Sequence, residues 1–441
     1  MAGAHGAPAR QLCRGSPSIG FAPAPSQAVE MHPCCAMFAH GEKIARIEGE
    51  RRPMAGNPGL RNMMTLARLA VRGLGHLVSP RPLGPQAGVA FEHAFSRLLA
   101  ASSVVPHIRV ARFVSLAPED DWQSLDIDTV PGEEVTVFAA GGFWASRALD
   151  LGFGARIGLW LRAGGGSILK TPTNTSTVAA PGGALEIVAK PPGEWADEHG
   201  AFDPEYPRSG LTGEICACVI VWKEGAVAGL EAMARAGDYE GLVGRAREEV
   251  LSPVFAPQGW RYLWRLGDGR IFRDANSADG HSICCHTSGD VGILQYPVDV
   301  PLTENTRLRW RWKVDRLPCD LPEDIQPTHD YLSIAVEFDN GQDLTYMWSS
   351  SLPEGTIFPC PLPFWDKVET HWVLRSDRAN IGKWLSEEQP VRADYAKAVG
   401  APPARIVKVW LIAVSVFQRR EGICEYADIE LADGERVLTI A

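Results

Sequence analysis

Strict alternation of apolar and basic side chains in residues 308–314 is the feature of this sequence that most limits its fold. In Leu308-Arg-Trp-Arg-Trp-Lys-Val, every second residue is apolar and the residues between them are cationic. Successive side chains of a β-strand point to opposite faces, whereas a helix would mix the two sets. The segment therefore predicts a half-buried strand whose outer face carries Arg307, Arg309, Arg311 and Lys313. That face either binds an anionic ligand or is neutralised by an acidic neighbouring strand, such as Glu337-Phe-Asp.

Similar strand patterns continue through the C-terminal part of the chain. Residues 331–338 alternate with their apolar side chains on one face, and residues 407–417 are apolar on both faces, as expected of a central strand. A single helical segment interrupts them, beginning at Pro390 and ending at Gly400. We therefore expect a C-terminal β-sandwich over residues 255–441.

A second group of short strand-like runs lies between residues 108 and 224. Apolar runs such as 135–140 and 215–222 are separated by turns such as Pro131-Gly132. Many short strands with Gly/Pro turns are typical of a sandwich. Residues 225–254 then change to helical spacing, with Asp238 as a candidate N-cap, which predicts a helical hairpin.

The predicted architecture is therefore mainly β, with two β-sandwich (jelly-roll-like) domains. Residues 108–224 and 255–441 form the sandwiches, and the helical hairpin of residues 225–254 joins them. Residues 63–107 form a helical lead-in. Residues 1–62 are rich in Ala, Gly and Pro and follow neither the helical nor the strand period, so we expect a disordered extension there.

Composition and charge argue against several classes of protein. The 441 residues include 43 basic and 53 acidic side chains, and this net charge of −10 argues against a nucleic-acid partner. The longest apolar runs, 215–222 and 409–417, fall short of the about 20 residues that cross a bilayer, so no membrane partner is expected. The ten cysteines are sparse and include two adjacent pairs. This pattern favours reduced thiols and a cytoplasmic location over a disulfide scaffold, and it leaves the oligomeric state open.

The sequence lacks the common catalytic motifs, and its zinc-type ligands are not placed to converge. The sequence contains no nucleophile elbow, phosphate loop or nicotinamide fingerprint. His281-Ser-Ile-Cys-Cys-His286 offers zinc-type ligands, but a strand would divide them between its two faces. Because zinc needs four convergent ligands, we predict no metal site.

Four polar residues are the candidate catalytic residues: His329, Asp330, Arg375 and Asp394. The imidazole of His329 could act as a general base near neutral pH, and the carboxylate of Asp330 could serve instead. Arg375 could stabilise an anion, and Asp394 opens a helical segment nearby in the chain.

The surroundings of Arg375 decide whether this residue binds a ligand or forms a structural ion pair. Arg375 lies in an otherwise apolar strand pattern, so it is either aimed at a ligand or paired with Asp330, Asp394 or Asp428. Alternation places it on one face with His371 and Val373. In the functional alternative, the aromatic residues that line a pocket around it are Tyr346 and Trp348. A purely structural ion-pair network is the other alternative.

Residues 135–202 resemble the small calcium-dependent galactose lectins of bacteria. The matching pieces are Ala139-Ala-Gly-Gly-Phe-Trp-Ala-Ser and Pro192-Gly-Glu-Trp-Ala-Asp-Glu-His-Gly. The resemblance implies that calcium and sugar ligands come from the positions of Lys190, Glu194, Trp195, Asp197 and Glu198. The family has an acidic ligand where Lys190 stands, and a cation there would oppose Ca²⁺. We therefore predict no cofactor, with calcium as the one alternative.

Residues from about 260 to 435 resemble an uncharacterised bacterial family, domain of unknown function 3047. The matching pieces occur in order along the chain: Leu308-Arg-Trp-Arg-Trp-Lys-Val, Asp330 before a strand, Tyr346-Met-Trp348, Val373-Leu-Arg375-Ser, Gly382-Lys-Trp384, Asp394-Tyr395 and Ala427-Asp428-Ile429. The resemblance implies a jelly-roll-like sandwich and no established reaction. The polar segment that the family has near its end is here Ala413-Val-Ser-Val-Phe-Gln-Arg-Arg-Glu-Gly.

Three functions remain open from the sequence. Tandem sandwiches with Trp and Tyr side chains favour a protein that binds a carbohydrate or another small molecule. The alternative is an enzyme, a lyase, isomerase or hydrolase, acting on a small oxygenated substrate in the C-terminal sandwich. An assembly scaffold without a ligand is the third. A closed pocket containing Arg375 and His329 would favour the enzyme, and an open loop site around Trp195 would favour the lectin.

Overall fold

The computed structural model describes residues 58–78, 88–169, 175–191, 199–202, 210–267, 270–277, 280–362, 365–376, 378–434 and 436–441. These residues are mainly β, as predicted, and form four sheets. None of the described helices is long and apolar enough to cross a bilayer.

The helices and strands follow one another along the chain with short connections. The described α-helices are α1 (Pro58–Val78), α2 (Val89–Leu99), α3 (Ala155–Gly158), α4 (Ala226–Ala236), α5 (Leu242–Leu251) and α6 (Val391–Ala398). The described strands of the N-terminal part are β1 (Ile108–Leu116), β2 (Gln123–Thr129), β3 (Glu134–Ser146), β4 (Leu151–Gly154), β5 (Leu159–Ala163), β6 (Ile168–Leu169), β7 (Thr177–Ala179), β8 (Gly183–Ala189) and β9 (Thr212–Trp222). Those of the C-terminal part are β10 (Arg261–Leu266), β11 (Phe272–Ser277), β12 (Gly280–Ser288), β13 (Val291–Pro301), β14 (Thr306–Arg316), β15 (Tyr331–Phe338), β16 (Asp343–Trp348), β17 (Ile357–Pro359), β18 (Glu369–Arg375), β19 (Leu385–Gln389), β20 (Arg405–Val414), β21 (Glu421–Asp433) and β22 (Arg436–Thr439).

Two antiparallel sheets form the N-terminal part. The five-stranded sheet has the order β1-β9-β3-β4, with β7 paired to β3, and the four-stranded sheet has the order β2-β8-β5-β6. Val137 and Val219 of the first sheet and Leu161 and Ile187 of the second belong to one buried apolar cluster. The two sheets therefore share a core.

Helices cover the outer face of the five-stranded sheet. β9 is apolar on both faces, and its outward residues Cys218, Ile220 and Trp222 belong to a cluster that includes residues of α2, α4 and α5. A Cβ atom at Gly229 of α4 would lie 2.1 Å from the Trp222 ring, so only glycine permits this close approach. The helices of residues 225–254 thus contribute to the N-terminal core and do more than connect two domains.

The C-terminal part also consists of two sheets. The seven-stranded sheet has the order β10-β13-β20-β15-β16-β18-β17, and the six-stranded sheet has the order β11-β12-β21-β14-β19, with β22 paired to β21. An apolar cluster rich in large aromatic residues joins them, including Trp310, Trp312, Tyr346 and Trp348. The alternation that the sequence showed in β14 is present in its burial pattern.

Three of the four cations on the outer face of β14 are neutralised by acidic residues of its neighbours in the six-stranded sheet. Arg309 Nε lies 2.6 Å from Glu388 Oε2, and Lys313 Nζ lies 2.5 Å from Glu425 Oε1. Arg311 pairs with Asp428 in the same way. The partners come from β19 and β21, and not from the segment Glu337-Phe-Asp that the sequence suggested, because β15 belongs to the other sheet.

The N-terminal and C-terminal parts are joined by apolar and ionic contacts. The apolar cluster of the N-terminal sheets continues into the seven-stranded sheet, and the rings of Phe153 and Phe417 lie 6.3 Å apart. Arg156 pairs with Asp290 at 3.2 Å.

Helix α1 begins at Pro58, within the predicted extension, and its Arg61, Arg68 and Arg72 make it basic. Arg72 binds Asp320 at 3.0 Å.

Candidate functional site

One buried face of the seven-stranded sheet carries polar side chains among the apolar residues that join the N-terminal core. The other face packs against the six-stranded sheet, and we call the first one the polar face. The buried polar side chains that share this face are Gln295, Tyr331, Ser333, Glu337, Asp343, Thr345, Glu369 and His371. A buried sheet face is normally apolar, since each polar group must find a partner there. The polar face is therefore the strongest candidate site in the described residues.

A histidine, a cysteine and a second histidine converge over this face. One ligand-type atom from each of His329, Cys360 and His371 lies within 4.8 Å of the others, and all three residues are buried. His329 follows the 3₁₀ turn Gln326–Thr328, and its Nδ1 lies 2.7 Å from the carbonyl oxygen of Glu323. A carbonyl only accepts, so Nδ1 carries the proton and Nε2 keeps its lone pair. That Nε2 atom lies 3.4 Å from Cys360 Sγ.

His371 completes the group from β18, with Glu369 two residues earlier on the same face. Its Nε2 lies 3.3 Å from Glu369 Oε1 without hydrogen-bond geometry, and neither ring nitrogen has a hydrogen-bond partner among the described residues. Glu369 Oε1 accepts hydrogen bonds from Tyr331 Oη and Thr345 Oγ1, each at 3.1 Å. The Phe358 ring stacks on the imidazole at a centroid distance of 5.0 Å. The ring is thus held in place with Nε2 beside a carboxylate and neither nitrogen in a hydrogen bond.

Burial controls the charges in this group. Desolvation, followed by the neighbouring His371, lowers the pKa of His329 to about 3. Desolvation and then Glu369 raise the pKa of the Cys360 thiol well above its ordinary value. Burial alone would raise the pKa of Glu369, but the adjacent His371 outweighs it and the net shift is downward. At neutral pH, His329 is therefore a neutral imidazole beside a thiol, with a carboxylate close by.

The other predicted catalytic residues do not join His329. Asp330 is buried, and its two oxygens accept hydrogen bonds from the backbone N–H groups of Phe417 at 3.0 Å and Gln418 at 2.6 Å. Burial raises the pKa of Asp330 to about 7 despite these bonds. Its carboxylate fixes the turn that follows β20. Asp394 lies beyond the apolar face of the sheet, where Tyr346 Oη donates to its Oδ2 at 3.0 Å.

Arg375 lies on the opposite face of β18 from His371 and Val373, and not with them as alternation predicted. The register of β16 and β18 shifts between the pairs Met347–Val373 and Trp348–Arg375. Because this bulge adds one residue to β18, it turns Arg375 toward the core side. Its partner there is Glu387, with Nε–Oε1 at 2.7 Å and Nη2–Oε2 at 2.9 Å. None of the predicted partners, Asp330, Asp394 and Asp428, forms this pair.

Tyr346 and Trp348 belong to the core between the two C-terminal sheets. Both are fully buried, with ring centroids 5.8 Å from Trp310 and 5.4 Å from Trp312, respectively. They face away from His329, so no pocket encloses them together with it.

The predicted lectin-type ligands Glu194, Trp195, Asp197 and Glu198 lie outside the described residues. Lys190 is described and is fully buried. Its Nζ donates to the carbonyl oxygen of Pro118 and lies 4.9 Å from the centroid of the Phe202 ring. The position that is acidic in the lectins is thus occupied by a cation held inside the protein.

We expect calcium to leave the Tm of the protein unchanged. A buried ammonium group at Lys190 repels a divalent cation. Thermal unfolding in calcium, with magnesium as the control cation, measures this. A saturable rise of the Tm in micromolar calcium alone would contradict the prediction.

Sequence reasoning missed Cys360, Glu369 and His371. The signal for the last two was present, because they are polar residues at alternate positions of a strand that also carries the apolar run Trp372-Val-Leu. Cys360 follows β17 in a proline-rich stretch and carries no pattern of its own. Only the fold brings it to His329, 31 residues away in the chain.

The polar face lies in a mainly β protein whose C-terminal part matches a known family. Residues 268–430 match the family described as "Protein of unknown function (DUF3047)", which confirms the resemblance found in the sequence. No curated protein matches the chain.

Several solved structures overlap parts of the fold at about 10% sequence identity. The xyloglucanase domain of NopAA from Sinorhizobium fredii, in complex with cellobiose, covers 42% of this chain and 96% of its own, with 10% identity and a TM-score of 0.25. The family 11 carbohydrate-binding module of the Clostridium thermocellum cellulase Lic26A-Cel5E covers 41% and 86%, with 10% identity and a TM-score of 0.20. SGBP-B from a xyloglucan utilization locus in Bacteroides uniformis covers 72% of each chain, with 10% identity and a TM-score of 0.21. At such TM-scores these overlaps carry no argument about the ligand.

Proposed function

We propose that the C-terminal sheets bind a small oxygenated molecule, a sugar or a similar polyol, at the polar face. The observation that carries the proposal is a pair of buried polar groups without hydrogen-bond partners among the described residues, Gln295 Nε2 and Ser333 Oγ. An unsatisfied buried group costs about 1–3 kcal/mol, so two on one face favour a role in binding over a role in stability.

A tryptophan lies beside the first of these two groups. Gln295 and Ala335 lie directly opposite Trp410 of β20. Ser333 lies opposite Ile412, two residues after Trp410 on the same face of that strand. Trp410 Nε1 donates to Glu337 Oε2 at 3.0 Å, which fixes the indole beside small residues.

The margin of this region is accessible. Glu337 is paired with Lys408 at 2.6 Å, and the partly exposed Trp365 meets the Trp410 ring edge-on at a centroid distance of 6.3 Å. A sugar presents apolar C–H faces to aromatic rings and hydroxyl groups that both donate and accept hydrogen bonds. The indole rings of Trp365 and Trp410 could contact the C–H face of a sugar. The Gln295 amide, the Ser333 hydroxyl and the Glu337–Lys408 pair could bond to its hydroxyl groups.

The enzyme alternative required His329 and Arg375 in one pocket. The two residues lie on opposite faces of the seven-stranded sheet. The acid and base groups that do converge, His329 with Cys360 and His371 with Glu369, are buried. Ligand binding therefore remains the function that the geometry supports best.

Titration calorimetry with glucose, galactose, xylose, glucuronate and cello-oligosaccharides tests the proposal. We expect the full chain to bind at least one of them, and Trp365→Ala to weaken binding roughly tenfold, the equivalent of about 1.4 kcal/mol. We expect Gln295→Leu to weaken the same binding while keeping or raising the Tm, since it removes an unsatisfied buried amide.

The matched control is Trp384→Ala. Trp384 lies under Arg311 on the outer face of the six-stranded sheet, 5.0 Å from its guanidinium, and away from the polar face. Binding should be unchanged in this variant. If Trp384→Ala removed binding while Trp365→Ala did not, or if no saccharide bound, the polar face would not be the sugar site.

A further inference from the structure

We propose that His329, Cys360 and His371 bind a zinc ion at the polar face of the seven-stranded sheet. The three residues form the one group of potential metal ligands with convergent atoms among the described residues. They come from three separate segments: the loop before β15, the chain after β17, and β18 itself. This proposal goes beyond ligand binding at the polar face and does not depend on it.

The spacing of the ligand atoms suits three of the four positions around a tetrahedral ion. Zinc lies about 2.3 Å from sulfur and about 2.0–2.1 Å from imidazole nitrogen, which puts two such ligands roughly 3.5 Å apart at a tetrahedral angle. His329 Nε2 and Cys360 Sγ are already separated by 3.4 Å. The remaining separations reach up to 4.8 Å and must shorten when the ion binds.

The hydrogen bonds around the group prepare it for a cation. The Glu323 carbonyl holds the proton of His329 on Nδ1, so the lone pair of Nε2 points toward Cys360. Metal-bound histidines are commonly oriented by such a backbone partner on their other nitrogen. His371 is fully buried, and its two nitrogens have no hydrogen-bond partner among the described residues. A metal would satisfy a nitrogen that otherwise stays orphaned.

The cysteine lowers the cost of burying the ion. When zinc binds, the Cys360 thiol gives up its proton to solvent and the sulfur coordinates as thiolate. The thiolate charge offsets part of the Zn²⁺ charge, and an uncompensated buried ion would cost far more.

Metal content and cobalt spectroscopy of the full chain test the proposal. After chelation and reloading, we expect one equivalent of zinc per chain, and a thiolate-to-cobalt charge-transfer band when Co²⁺ replaces it. Cys360→Ser should abolish that band and weaken zinc binding by more than about 100-fold, because even loss of an outer partner costs 10–100-fold. Chelation should lower the Tm of the wild type and leave that of Cys360→Ser unchanged.

Cys319→Ser is the matched control. Cys319 is an equally buried thiol whose Sγ lies 3.4 Å from the Leu321 carbonyl oxygen, outside the three-residue group. It should keep both the cobalt band and the zinc stoichiometry. His371→Gln provides a second test if Cys360→Ser fails to fold: it should keep the charge-transfer band and change the visible d–d bands.

Two results would overturn the proposal. One is a wild-type protein that retains no zinc after reloading and dialysis, and the other is a cobalt band that survives Cys360→Ser. The saccharide titration uses Trp365 and Gln295, which are not in the metal group, so failure of either proposal can be distinguished from failure of the other.

Discussion

Replacing Arg375 with methionine should lower the free energy of unfolding by about 3 kcal/mol. Arg375 makes a two-pronged ion pair with Glu387, a side chain that is 5% exposed, and Glu387 also accepts from Trp312 Nε1 at 3.0 Å. Without the guanidinium, a buried carboxylate keeps only the indole N–H among the partners described. Arg375 is itself 32% exposed, which places the loss at the lower end of the range for buried pairs.

Chemical denaturation of the wild type and Arg375→Met measures this loss. The matched control is Arg309→Met, because Arg309 pairs with Glu388, the residue next to Glu387, but both members of that pair are exposed. That exposed pair should contribute less than about 1 kcal/mol. Equal losses in the two variants, or no loss in either, would contradict the structural role given to Arg375.

Replacing Asp330 with alanine should also cost about 3 kcal/mol. The carboxylate accepts two backbone N–H groups, at Phe417 and Gln418, and is 1% exposed. Alanine leaves both donors without an acceptor in a buried turn. Arg419, in the same turn, binds Asp150 of the N-terminal part at 2.5 Å, so the contact between the two parts should loosen as well.

Two further variants define this effect. Asp330→Asn keeps one acceptor oxygen and should lose clearly less stability than Asp330→Ala. Asp339→Ala removes an exposed carboxylate that accepts from Ala404 N at 3.3 Å, and it should change the stability by less than about 1 kcal/mol. If Asp330→Ala kept its stability, the turn would not depend on this carboxylate.

The strands were predictable because their patterns are local. The alternation in β14 needs only seven consecutive residues, and the two-sided apolar character of β9 and β20 marks central strands in the same way. The resemblance to the uncharacterised family was carried by such local pieces, and residues 268–430 confirm it.

The candidate site was not predictable because its parts are far apart in the chain. His329 was recognised, but its neighbours Cys360 and His371 lie 31 and 42 residues later and meet it only when the loop before β15 folds over the sheet. The predicted face of Arg375, shared with His371 and Val373, was wrong for a related reason. A single bulge between β16 and β18 reverses the face on which it lies, and the sequence contains no local sign of that shift.

The sequence by itself determined the mainly β class, the strands and the face of each regular strand, since side-chain direction along a strand follows from covalent geometry. Tertiary structure alone decided that the second face of the seven-stranded sheet is buried, that Glu387 is the partner of Arg375, and that two histidines and a cysteine converge. These contacts depend on which sheets pack together and on how loops cross them. Burial then sets the charge of each group, because the cost of desolvation exists only once the chain has folded around it.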